Sequence, residues 1–211
     1  MSTLLVALLG VMLLPLFLSS WRMSLFGLSC QGLLLGWIAV ESHTEAPTAE
    51  GWLTLFDLVV VRGLVAPGLL FAVMRARDGD GRNDVIPPNL LSWTLVGTLV
   101  MAAFSFADNL VPEAGDAQQL VAVATAGVLL GLFVLSSQSG TFSQMIGALR
   151  FENAIALLEL GARGHAQPLP VRAGLLVVFL VTVGFFRWYL ELLGPSAAAR
   201  APDDTPEAPT L

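Results

Sequence analysis

The chain contains no lysine: all ten of its basic residues are arginine. It has one cysteine, one tyrosine and two histidines, and only 12% of its 211 residues are charged. Each shortage excludes something. The lone Cys30 cannot form an intrachain disulfide, and it sits in an apolar run that reveals no redox compartment. With two loop histidines it builds no metal cluster and no redox centre. There is no Gly-rich phosphate loop and no nucleophile–base set. The chain therefore reads as a non-enzyme with no catalytic residues, no cofactor and no metal. A formal net charge of −6 argues against a nucleic-acid partner. The scarcity of charge says most. A soluble domain carries about 25% charged residues, and half that share does not cover a compact surface facing water.

What fills the chain is apolar. Hydrophobic residues make up 55% of it, and the mean hydropathy is +0.77. Seven apolar runs follow one another: Leu4–Ser19, Ser24–Val40, Trp52–Met74, Asn89–Ala107, Leu120–Leu135, Thr141–Gly161 and Val171–Leu193. Most approach the roughly 20 residues that a helix needs to cross a ~30 Å hydrocarbon core. In lipid every backbone polar group must be satisfied within the segment, so such runs are helices. The expected fold is all-α: a polytopic membrane protein of about seven transmembrane helices over residues 1–195, with a disordered cytoplasmic tail over 196–211. The first run lacks a basic n-region and an A-x-A-like cleavage site, so it is expected to stay as a span. Trp21, Trp37, Trp52, Trp93 and Trp188 mostly fall near run ends, as an interfacial belt requires.

The breaks between runs set an orientation. Arg75, Arg77 and Arg82 cluster in one loop, which the positive-inside rule places in the cytoplasm. Seven spans then put the N-terminus outside and the C-terminus inside, in a cell inner membrane. Arg22, Arg187 and Arg200 agree; Arg163 does not. A faint repeat also runs through the chain. Leu16-Phe17-Leu18-Ser19-Ser20 is echoed by Phe133-Val134-Leu135-Ser136-Ser137, and Val61-Arg62-Gly63-Leu64 by Val171-Arg172-Ala173-Gly174-Leu175. Spans 1–3 and 5–7 would then be parallel three-helix copies, as in some transporters; chance likeness between Leu/Val-rich segments is the other reading.

Charges inside spans are expensive and mark the residues to question. The third span holds Asp57 and Arg62; the sixth holds Arg150, Glu152 and Glu159, with Asn153 beside Glu152. Glu152 and Glu159 share a helix stripe, about 10 Å apart along the axis. Glu152 lies roughly 18 Å into its span and Arg62 roughly 15 Å into its own from the opposite face. Both depths are near mid-membrane, and Asp57 and Glu159 fall nearer the outer face. Two readings stay open. One is a chain of ionisable groups that moves protons or charge, in which an acid can titrate and arginine only tunes its neighbours. The other is a structural Arg62–Glu152 ion pair, with Glu159 snorkelling to the interface. Pro67-Gly68 would bend the third span, as broken helices do along ion paths and as ordinary membrane helices also tolerate.

One stretch of the sixth span is distinctive: Gln144-Met145-Ile146-Gly147-Ala148-Leu149-Arg150-Phe151-Glu152-Asn153-Ala154-Ile155-Ala156-Leu157-Leu158. Ser29-Cys30-Gln31-Gly32-Leu33 and Arg62-Gly63-Leu64-Val65-Ala66-Pro67 precede it. In order and spacing these motifs resemble the E component of hydrogenase-4 and related formate-hydrogenlyase-type complexes, over most of the chain to about Leu193. The last three spans look like the K subunit of complex I and the C subunit of multisubunit cation/proton antiporters. The resemblance implies a non-catalytic membrane-arm subunit whose partners are large antiporter-like membrane subunits, other subunits of the arm, and the bilayer. It also implies that Glu152 corresponds to a helix carboxylate in a mid-membrane polar axis, displaced by about a turn. Two departures stand out. Arg62 replaces the family's usual lysine, and the last span carries Arg172 where relatives place an acid. A stand-alone small transporter or channel is the alternative.

Overall fold

The computed structural model describes residues 2–13, 16, 20–42, 48–76, 90–111, 115–161 and 168–192. They form seven helical rods, and no strand occurs among the described residues. The rods are α1 (Ser2–Leu13), α2 (Trp21–Ser42), a composite third rod, α5 (Leu90–Leu110), α6 (Asp116–Ser137), α7 (Thr141–Gly161) and α8 (Leu169–Leu192). The third rod runs continuously through α3 (Ala49–Leu55), a π-helical segment (Phe56–Val65) and α4 (Ala66–Ala76). Each expected apolar run thus contains a helix, the first, Leu4–Ser19, being described as helix only as far as Leu13. Residues 77–89 of the arginine-rich loop, residues 43–47, 112–114 and 162–167 between rods, and the 196–211 tail lie outside the described residues, while Arg75 stands in the last turn of α4.

The chain is an all-α membrane protein. Five rods are long and apolar enough to cross a bilayer: α2, the third rod, α5, α6 and α8. The other two fall short for different reasons. α7 has the length but carries Arg150, Glu152 and Glu159. α1 is apolar but only 12 residues long, about 18 Å of helix.

Packing is built on small residues, since apolar burial gives no net drive between helices in lipid. α6 and α7, joined through Gln138–Gly140, pack along their length. A Cβ on Gly127 would sit 2.8 Å from the Ala154 Cβ, and one on Gly131 only 3.0–3.2 Å from Phe151. α1 lays Leu5, Leu8 and Met12 into the core formed with α2 and α6. α8 stands apart: it packs on α3 and α4, and only Phe179, Val183 and Leu190 of its 24 residues are buried.

α1 touches α6, α2 touches α7, and the third rod touches α8, so the corresponding rods of the two expected copies are neighbours. The residue echo is not an equivalence, because Arg62 stands mid-rod and Arg172 in the first turn of α8. The copies also differ in one packing step. α2 is pressed onto the π segment, whereas α7 and α8 scarcely touch.

The close approach of α2 to the π segment has a clear cause. A Cβ on Gly32 would lie 2.5 Å from the Gly63 Cα and N, backbone atoms with no means of retreat. The winding of the third rod also has a sequence correlate. Ala66 N–H bonds back five residues to Val61 O, and α-helix resumes at the turn holding Pro67. A proline is tolerated in a first helical turn, where its missing N–H is not needed. The irregularity expected at Pro67-Gly68 is therefore displaced upstream, as a wide winding over Phe56–Val65 with the rod continuing through the proline.

Candidate functional site

The winding decides where the charges of the third rod point. In a regular α-helix, at 3.6 residues per turn, a residue five places on lies about 140° around the axis. The π winding closes on the fifth residue instead, so Asp57 and Arg62 share a face. Arg62 Nε donates to Asp57 Oδ2 at 3.0 Å, with the two side chains 8% and 20% exposed. The expected Arg62–Glu152 ion pair is thereby replaced by an Asp57–Arg62 pair within one rod. The expectation rested on the matching depths of Arg62 and Glu152, and depth does not reveal that the π winding brings Asp57 onto the face of Arg62.

The guanidinium makes further contacts. Its Nη1 donates to Asn153 Oδ1 on α7 at 3.4 Å, and its Cζ lies 4.2 Å from the centre of the Phe179 ring on α8. Such a stack adds roughly 0.5–2 kcal/mol, more where water is excluded. Asn153 Nδ2 in turn donates to Gln31 Oε1 on α2 at 3.5 Å. Asn153 is 1% exposed and Gln31 is fully buried. The result is a polar chain, Asp57–Arg62–Asn153–Gln31, running across three rods at mid-height. Gln31 Nε2 has no hydrogen-bond partner and borders a void of about 10 Å³, shared with Arg150, which is the space of roughly one water molecule.

Arg150 therefore belongs to the far side of α7 from Glu152, buried among α1, α2 and α6. The stripe that carries Glu152 and Glu159 faces the other way, into a cavity of about 280 Å³ between the third rod, α7 and α8. Asp57, Arg62 and Arg172 also line it. Arg172 donates to the Thr54 hydroxyl, which sets the start of α8 beside the start of the third rod. The cavity runs from that end of the bundle down to Arg62. It occupies the gap left because α7 and α8 do not close on one another. Glu152 is half-buried and Glu159 exposed, and neither makes a hydrogen bond or ion pair among the described residues. Asp57 Oδ1 is likewise buried without a partner.

The structure thus gathers Asp57, Arg62, Glu152 and Glu159 at one cavity, puts Asn153 directly behind it, and separates Arg150 from it. Two members were not among the residues singled out as candidates. Gln31 stood in a recognised motif with no role assigned, and its signal was a lone amide in an otherwise apolar span. Arg172 was noted as a charge at the start of the last span, in the echo of Arg62 and for the acid it replaces, with no site role assigned. No group of acids, histidines and cysteine able to hold a metal ion occurs among the described residues. Comparison with protein-family models, curated proteins and solved structures finds no match.

Proposed function

We propose that this chain is a non-catalytic subunit of an ion-translocating membrane complex of the complex I or group 4 hydrogenase type, to which it contributes intramembrane charge. The observation that carries this reading is the buried polar chain Asp57–Arg62–Asn153–Gln31. Intramembrane ionisable groups are costly, and they mark ion pathways and proton relays. This chain crosses the bundle sideways, the direction in which charge passes between neighbouring subunits. Glu152, half-buried at the same height, is the group that exchanges a proton. Asp57 and Arg62 set the field it feels. The proposed setting is a cell inner membrane, with the N-terminus outside and the C-terminus cytoplasmic.

A cavity lined by a single chain favours a second reading, a small stand-alone transporter, and one experiment separates the two. The tagged chain is purified in mild detergent and its companions identified by mass spectrometry, in parallel with Glu152→Gln. The subunit reading expects large antiporter-like polytopic chains in the complex, with proton pumping impaired and assembly intact in the variant. A homo-oligomer that moves ions alone in liposomes would overturn it. Reporter fusions at Gly79 and at the C-terminus should both read cytoplasmic; opposite sides would overturn the topology.

A further inference from the structure

We infer that the cavity between α7 and α8 is a binding site for a small amphipathic organic cation: one ammonium or guanidinium group on an apolar body. The inference stands on the shape and lining of the cavity and holds whether or not the chain serves a larger complex. At about 280 Å³ the space is at the lower edge of sites that enclose small organic molecules. Such sites are mostly apolar with a few placed polar groups, and Leu58, Ile155, Leu175 and Leu176 supply the apolar walls here.

The polar groups fix the sign of the ligand. Both arginines at the cavity are already engaged, Arg62 with Asp57, Asn153 and the Phe179 ring, and Arg172 with Thr54. The Glu152 and Glu159 carboxylates face the same cavity and have no such partner. They lie on one stripe of α7, about 10 Å apart along the axis, so a cationic head entering from the end of the bundle meets Glu159 first and Glu152 deeper. An anion would meet an excess of negative charge, since Asp57, Glu152 and Glu159 line the cavity against only Arg62 and Arg172. A neutral apolar molecule would leave them desolvated and unpaired, a costly arrangement. A cation with an apolar body satisfies both the acids and the walls.

The test uses the full-length chain in phosphatidylcholine nanodiscs, with empty nanodiscs as the blank. Benzylguanidinium is titrated calorimetrically against benzylurea, its neutral isostere. Benzylguanidinium should bind saturably at one site per chain, and benzylurea at least about tenfold more weakly, since a charge-assisted contact is lost. Glu152→Gln and Glu159→Gln should each weaken benzylguanidinium about tenfold, while Arg187→Gln, on the exposed Arg187–Glu191 pair, leaves it unchanged. Absence of saturable binding, equal binding of benzylurea, or full affinity in the Glu152→Gln/Glu159→Gln double variant would each overturn the inference. Should the glutamine variants fail to fold, the contrast between the two probes on the unaltered chain decides it.

Discussion

At the scale of the residue, Arg62 is the point on which the site turns. It is 7% exposed and holds partners on three rods. Removing one member of a buried pair leaves the other charge uncompensated, at about 3–5 kcal/mol, whereas replacing both by apolar groups is often near neutral. Arg62→Met should therefore lower stability by about 3 kcal/mol or more. Adding Asp57→Leu should recover most of that loss, as read from dodecyl sulfate unfolding in a double-mutant cycle. A coupling near zero would show that the two charges do not interact. Asn153→Leu should cost about 1–3 kcal/mol in the same assay, because Gln31 Oε1 then loses its donor in a dry interior. The charged residues of this site were legible in the sequence as charges within apolar runs. Their pairing was not. Which acid meets Arg62 depends on how the backbone winds, whereas the sequence offered only the depth of each charge along its span.

At the scale of the element, apolar run length located the helices well, because in lipid a long apolar segment has one way to satisfy its backbone. The π segment escaped that logic, since a wide winding and a regular one carry the same composition. Its packing is nonetheless strict. Gly32→Ala would force a methyl to within 2.5 Å of Gly63 backbone atoms, so α2 and the third rod must separate. Overpacking of this kind costs typically 1–3 kcal/mol, and loss of the Gln31–Asn153 hydrogen bond should accompany it. Gly97→Ala on α5, with nothing within 4 Å of the added methyl, should be near neutral. If both alanines unfold at the same detergent fraction as the parent, the close approach of Gly32 is not a feature of the folded protein.

At the scale of the molecule, the rods divide into a core and an attachment. α1, α2, α6 and α7, with Leu58 of the third rod and Val96 of α5, share one buried cluster, while α8 gives only Phe179, Val183 and Leu190 as buried residues to a second cluster with α2, the third rod and α7 and leaves most of its surface outward. A chain ending at Gly161 should therefore still insert and fold. It should lose the Phe179 contact to Arg62 and the outer wall of the cavity, and fall in stability by a few kcal/mol. Gel filtration and limited proteolysis in detergent check this; an aggregated or fully digested product would mean that α8 is integral to the core. The number of rods was legible from the sequence, and their unequal commitment was not. Apolar content measures suitability for lipid and says nothing about which neighbour, if any, a helix face meets.

The Asp57–Arg62 pair has a consequence for how the chain is made. Membrane helices leave the translocon largely in order of synthesis, and an arginine at a helix centre adds about 2.5–3.5 kcal/mol to that step. Asn153, the α7 partner of Arg62, is 91 residues downstream and does not exist when the third rod enters the bilayer. Carrying its own counter-ion five residues away, that rod can partition as a neutral unit without waiting for α7. α7 carries three charges of its own and follows α6 across a short connection, so it has an apolar escort on which to enter as a hairpin. The wide winding at Phe56–Val65 thus lets an arginine be installed in the membrane first and joined to its long-range partners afterwards.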